Sequence, residues 1–208
     1  MKKCEVKVVR LGDLGVLRQG TRHYAIRNSA GLSDAIEVKI QKWTNLKTEE
    51  LNEQDIIIID RKHYNEEVCI IEGDIALTTF PTIDSQNIVY MDKTLGEEYL
   101  YGETVYIYRT NSDVDSEYIF SILDSGLYNK YIEKLNVGYK LKLKQNMILD
   151  MKIPIFDTAT QQTIIKEHKL MMQEQRKIKD LEKELNNRKE KINKELLKQI
   201  ESFNRFLK

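Results

Sequence analysis

Leu149-Asp150-Met151-Lys152-Ile153-Pro154-Ile155, followed by Thr158-Ala159-Thr160-Gln161, marks the point where this 208-residue sequence changes character. Upstream, short β-rich runs alternate with turn residues: Ile36 to Ile40, Ile56 to Ile59, Val68 to Ile71, Ile75 to Thr79, Asn87 to Met91 and Thr104 to Tyr108. Between Ser116 and Leu135 the spacing turns helical, with Tyr118, Ile119, Ile122 and Leu123 on one face, Leu127, Tyr131 and Leu135 following Gly126, and Ser116 as the expected N-cap. Downstream, no Gly or Pro interrupts the chain from Gln161 to its end, which suits one long helix, and Thr158 to Gln161 fits a capping box at its start. The expected class is therefore α+β: a strand-rich globule over residues 1–155 and a long C-terminal helix over 156–208.

Within that helix Ile164, Met171, Ile178, Leu185 and Ile192 recur every seventh residue, the a positions of a coiled coil. The d positions are Glu167, Glu174, Leu181, Arg188 and Glu195, so the seam is half furnished. Beyond Ile192 the spacing shifts to Leu196, Ile200, Phe203 and Leu207, a stutter that moves the apolar stripe around the helix. At 1.5 Å per residue some 48 residues reach about 70 Å, longer than a globule of this size needs, so pairing with a second long helix is expected. A solvated, charged tail is the other outcome.

The hydrophobic fraction of 41% supports a core, and 32% charged residues place the chain with soluble proteins. No stretch approaches the roughly 20 apolar residues that span a bilayer, and Met-Lys-Lys-Cys-Glu leads into a mixed, strand-like run unlike a signal peptide, so a cytoplasmic location and no membrane partner are expected. Cys4 and Cys69 are too few and too far apart for a disulfide framework or a zinc site. The net charge is zero but unevenly spread: residues 1–47 carry +6, 48–133 carry −14, 134–160 carry +3 and 161–208 carry +5. DNA contacts should then come from the basic segments flanking the acidic middle.

Signatures of catalysis are absent. The sequence lacks a Walker-type phosphate loop, a Gly-x-Gly-x-x-Gly turn and a Gly-x-Ser-x-Gly elbow, and prolines at 81 and 154 alone cannot form the Pro-Pro-Tyr by which amino-methyltransferases hold a flipped base. His23, His63 and His168 are scattered, no metal site is expected, and His168 reads as a surface residue of the helix. Glu5-Val6-Lys7 and Glu37-Val38-Lys39 could contribute to a nuclease only with a further acidic partner.

Recognition chemistry is better represented. Arg18, Arg22, His23, Tyr24, Arg27, Lys42 and Trp43 interleave basic and aromatic groups suited to phosphates, base edges and stacking, although Trp43 also fits a core position. In Asn136-Val137-Gly138-Tyr139-Lys140-Leu141-Lys142-Leu143-Lys144 lysines alternate with apolar residues, which on a strand would put the lysines on one face. Such a face grips phosphates or protects an edge strand.

Four stretches in order resemble the specificity subunits of type I restriction-modification systems: Val9-Arg10-Leu11-Gly12-Asp13-Leu14 with Gly20, Glu72-Gly73-Asp74-Ile75-Ala76-Leu77-Thr78-Thr79, Val105 to Arg109 followed by Ser116-Glu117-Tyr118-Ile119-Phe120-Ser121-Ile122-Leu123, and Leu149 to Ile155 followed by Gln161 or Gln162 and Ile164-Ile165. Together they cover nearly the whole chain. The resemblance implies a target-recognition domain that reads a few base pairs of double-stranded DNA and a spacer helix that packs against its counterpart. It further implies docking onto methyltransferase subunits, which carry S-adenosylmethionine and do the chemistry, with a restriction subunit as a further partner and no cofactor in this chain. The family pattern has two recognition domains and two helices, whereas this chain holds one of each. A homodimer with antiparallel helices would restore the arrangement and read a symmetric, interrupted site.

On this basis Arg18, Arg22, Arg27, Lys42, Thr78, Thr79, Tyr139 and Lys140 are the candidate DNA contacts, and Ile164, Met171, Ile178, Leu185 and Ile192 the helix-pairing residues. The alternative is a coiled-coil interaction scaffold that does not bind DNA. A magnesium-dependent nuclease built on Glu37 and Lys39 is a third reading.

Overall fold

Ile75-Ala76-Leu77-Thr78 and Val105-Tyr106-Ile107-Tyr108 place bulky side chains at successive positions, the pattern of strands covered on both faces. The computed structural model, which describes residues 6–21, 34–48, 51, 53, 56–82, 85–135 and 142–206, has these strands at its centre. Among the described residues the strands are β1 (Lys7–Arg10), β2 (Gly15–Gln19), β3 (Ala35–Gln41), β4 (Ile56–Asp60), β5 (Ile75–Thr78), β6 (Ile88–Tyr90), β7 (Tyr99–Tyr101), β8 (Val105–Thr110) and β9 (Lys152–Ile155). The α-helices are α1 (Trp43–Thr48), α2 (Ser116–Ile122), α3 (Tyr128–Lys134), α4 (Gln145–Leu149) and α5 (Thr158–Phe206). The chain divides into two compact units, Met1–Ile165 and Lys166–Lys208.

In the first unit, β2-β8-β5-β6 form an antiparallel sheet, β4-β3-β7 a mixed one and β1-β9 a two-stranded ribbon. The alternation of β5 and β8 sorts their side chains into two cores. Ile75, Leu77, Tyr106 and Tyr108 face a cluster with Leu11, Tyr118, Ile119, Leu123 and Ile153. Ala76, Val105 and Ile107 face the opposite cluster, where Val38, Ile40, Ile59, Leu100 and Tyr101 come from the three-stranded sheet. Three layers result: helices, the four-stranded sheet and the three-stranded sheet.

Tyrosines tie these layers together. Buried rings supply apolar area while the hydroxyls find backbone carbonyls: Tyr108 donates to Leu11 (2.8 Å), Tyr118 to Pro154 (2.6 Å), Tyr131 to Met147 (2.6 Å) and Tyr106 to Leu143 (2.7 Å). Asp74 supplies a second tie. Its wholly buried carboxylate accepts from Arg109 Nε (2.6 Å) and Nη2 (3.1 Å), and from the Ile71 amide (3.1 Å), closing the turn in which Gly73 has φ 86°. Burial alone would lower the Arg109 pKa, but the hydrogen bond and charge of Asp74 outweigh it and hold the guanidinium above its usual value.

Several local expectations need correction. Asp115, not Ser116, caps α2, accepting from the Glu117 and Tyr118 amides. At α5 the cap likewise falls one residue early: Asp157 accepts from the Thr160 amide (3.0 Å) and hydroxyl (2.9 Å). Val68 to Ile71 is not a strand, because Asn65 caps a single tight turn over Glu66–Val68 and only Cys69 bridges to Leu100. α2 and α3 meet across a wide turn where Gly126 takes φ 98°, which side chains rarely adopt. His168, read as a surface residue, is 8% exposed.

The first compact unit extends ten residues beyond the expected boundary at 155, since Ile165 is buried in the helix-side core and Ile164 packs against it. The second unit is a single helical stretch, part of the 49-residue α5. Met171, Ile178, Leu185 and Ile192 along it are between 40% and 56% exposed.

Because Asp74 is wholly buried, Arg109→Met leaves an uncompensated carboxylate in the interior and is expected to cost about 3–5 kcal/mol. Urea denaturation of the variant against the native chain measures this; a loss below about 1 kcal/mol would show that the pair does not organise the turn.

Candidate nucleic-acid interface

Backbone hydrogen bonds gather five segments at one end of the central sheet. The Gly20 amide donates to Val105 (3.0 Å), Thr21 to Tyr101 (2.7 Å), Gly102 to Gln41 (2.9 Å), Thr79 to Thr104 (2.9 Å) and Leu143 to Thr79 (3.0 Å). The Trp43 amide reaches the Thr104 hydroxyl (3.4 Å). Such close approach explains Gly20, where a Cβ would run into the carbonyls of Gly102 and Tyr101. The end of β2, the end of β3 with the start of α1, the end of β5, the start of β8 and the approach to α4 therefore converge.

Exposed lysines cluster there. Lys42 follows β3, while Lys142 and Lys144 flank the buried Leu143 and so keep the alternation read from the sequence, although residues 142–144 are not in a strand. Beside them the loop after β5 carries Phe80, 47% exposed. That loop is held by Asn87, whose side chain accepts from the Thr82 amide (3.0 Å) and donates to the Thr82 carbonyl (2.8 Å) and to Asn129 Oδ1 on α3 (3.0 Å). Trp43 is partly buried against the second core.

The opposite end of β5 differs in charge. Gly73 donates to Met91 (2.9 Å), Leu95 to Ile70 (3.0 Å) and Ile70 to Tyr99 (3.1 Å), bringing together exposed Glu66, Glu67, Glu72, Asp92, Glu97 and Glu98. These six carboxylates of the acidic middle, with Lys93 among them, lie away from the lysine-bearing end, where half-buried Glu103 is the acidic residue between Gly102 and Thr104.

Individual candidates separate accordingly. Lys42 sits at the lysine-bearing end. Arg18 on β2 is paired with Glu67 (2.8 Å), so its charge is partly neutralised. Thr78 and Thr79 are 4% and 0% exposed, which takes both hydroxyls out of reach of a ligand in solvent; Thr78 accepts from the Phe80 amide (3.2 Å) and shapes the loop instead. Arg22, Arg27, Tyr139 and Lys140 lie outside the described residues, as does most of the strand read between Asn136 and Lys144. Phe80 was not among the candidates, because it carries no charge and lies just past the run read from Ile75 to Thr79.

Glu37 and Lys39 share one face of β3, but Lys39 is engaged elsewhere. Its ammonium donates to the Tyr99 hydroxyl (3.0 Å) and lies 3.6 Å from Glu53, and the Tyr99 bond is the largest influence raising its pKa. Among the described residues no group of three or more His, Cys, Asp and Glu could hold a metal ion. Burial pushes the Cys69 thiol up, keeping it protonated at neutral pH. No helix is long and apolar enough to cross a membrane among the described residues.

No family model matches the sequence, and no curated protein matches it. Solved structures do match the fold. The crystal structure of the HsdS subunit from Thermoanaerobacter tengcongensis aligns with a TM-score of 0.51 and 13% identity, covering 84% of this chain and 39% of that one. A chain from a structure of complex assembly and conformational transition of the type I R-M system aligns with a TM-score of 0.51 and 11% identity, covering 81% of this chain and 38% of that one. Strand-rich sheets followed by a long helix are thus the fold of type I restriction-modification S subunits, and the likeness expected from the motifs is present in the structure. The chain spans about 39% of the length of the HsdS subunit it matches.

The Thr79 hydroxyl is buried without a hydrogen-bond partner, at a cost of about 1–3 kcal/mol. Thr79→Val, which keeps the shape and removes the polar atom, is expected to leave thermal stability unchanged or to raise it by about 1 kcal/mol. A loss of more than 1 kcal/mol in calorimetry would show that the hydroxyl is satisfied in solution.

Proposed function

We propose that this chain is a non-catalytic DNA-recognition subunit that brings type I methyltransferase subunits to a bipartite site. The observation that carries the reading is the convergence of Lys42, Lys142, Lys144 and Phe80 at one end of the sheet, with exposed carboxylates gathered at the other. Exposed lysines neutralise phosphates and hold register, while loops supply side chains for base edges. The S-subunit fold supports the same reading. S-adenosylmethionine would be carried by the methyltransferase partner, and a restriction subunit is a further partner of the assembled complex.

The exposed apolar residues that recur along α5 suit pairing with a second copy of the chain. Antiparallel pairing of α5 would cover the exposed Met171, Ile178, Leu185 and Ile192 and present two identical domains to a symmetric, interrupted site. Ile164 is already partly covered by the domain core, so the pairing seam would begin at Met171.

Two experiments test this. The chain should bind duplex DNA with affinity that falls steeply with salt, and replacing Lys42, Lys142 and Lys144 by Gln should reduce the log–log salt slope by about 3. Binding with an unchanged slope would move the interface elsewhere. With a methyltransferase subunit co-purified, methylation on random-sequence DNA should map to a bipartite motif; failure of both binding and complex formation would favour a protein-binding scaffold, for which the carboxylate-rich end is suited.

For the dimer, native mass should be twice the 24.5 kDa of the chain. Ile178→Asp with Leu185→Asp should return it to the single-chain mass, because each buried unpaired charge costs several kcal/mol. An unaltered mass in light scattering would reject the seam.

A further inference from the structure

We propose that Phe80 is a base-reading residue whose ring packs against the 5-methyl group of a thymine in the major groove. This rests on the DNA-recognition reading and adds to it a residue and the chemical feature it selects. Exposed apolar side chains occurring singly are ordinary; what distinguishes Phe80 is how it is held and where. Its chain neighbours Thr79 and Pro81 are both buried, and its own amide donates to the Thr78 hydroxyl. Thr79 is clamped on both sides, by the Thr104 carbonyl and the Leu143 amide, and Thr82 is doubly bonded to the Asn87 side chain, which Asn129 anchors to α3. The ring is thus presented from a backbone fixed before and after it, beside Lys142 and Lys144 and at the same end as Lys42.

A thymine methyl is the apolar feature that base pairs offer in the major groove, and a pre-positioned aromatic edge is complementary to it. Insertion between base steps is the competing use of such a ring. An inserted wedge must give most of its surface to the stack, whereas Phe80 is 47% exposed and the rest of the residue is covered by protein, which suits contact at an edge.

The test uses the full chain and a random-sequence duplex pool from which it selects a site. That site is then resynthesised with deoxyuridine replacing one thymine at a time, which removes a single methyl. The native chain should lose about fourfold in affinity at one thymine of each half-site, the value of burying one methyl group. Phe80→Ala should bind the selected site about five- to tenfold more weakly, be indifferent to deoxyuridine at that position, and change less than about twofold on an unselected duplex. Phe80→Leu should keep the discrimination. A selected site without thymine, a native chain indifferent to every replacement, or a Phe80→Ala variant that still discriminates would overturn the assignment. So would Phe80-dependent brightening of 2-aminopurine, which reports unstacking. If the native chain enriches no site at all, the recognition reading falls with it; an enriched site with no Phe80 effect removes this inference alone.

Discussion

The ladder between β5 and β8, running from Ile75↔Tyr108 to Thr78↔Val105, is buried on both faces, and the other elements of the first unit are placed by the need to cover it. A strand with one solvated face would need a single core. Here the helices must pack on the Leu77 and Tyr106 side and the β3-β4-β7 sheet on the Ala76 and Ile107 side. The same ladder sets direction: Lys42, Lys142 and Lys144 lie at its Thr78 end, and six exposed carboxylates at its Ile75 end, where Asp74 and Arg109 lock the turn. A protein with no net charge can in this way present a cationic end, which is what long-range attraction to a polyanion requires.

Strands with strong local pattern were legible beforehand. Ile36 to Ile40, Ile56 to Ile59, Ile75 to Thr79 and Thr104 to Tyr108 correspond to β3, β4, β5 and β8 within a residue or two. The strand-like run after Glu5 corresponds to β1, but its partner β9 was not legible, for a physical reason: Pro154 discourages a strand assignment, yet it is tolerated in a two-stranded ribbon, opposite Val8, where few ladder bonds are needed. Val68 to Ile71 failed in the other direction, since Val68, Cys69 and Ile70 are buried in a turn that Asn65 and Asp74 hold through side-chain bonds. The pairing of Asp74 with Arg109 spans 35 positions and leaves no periodic trace.

At the candidate interface, the lysine alternation around Leu143 could be read because it follows from one buried residue between two solvated ones. The inward placement of Thr78 and Thr79, and the outward placement of Phe80, could not. The most hydrophobic of the three, Phe80, is the most exposed, the opposite of what hydrophobicity leads one to expect, and the Asn87 network and the clamped Thr79 backbone explain the inversion.

Because Lys7 pairs with Ile155 and Arg10 with Lys152, the chain leading into β2 and the chain leading into α5 run side by side. Everything between is a closed excursion from a two-stranded stem. A segment joined to its surroundings at one such stem behaves as a cassette: the residues between the two strands can be exchanged as a block without altering the sequence that forms the long helix.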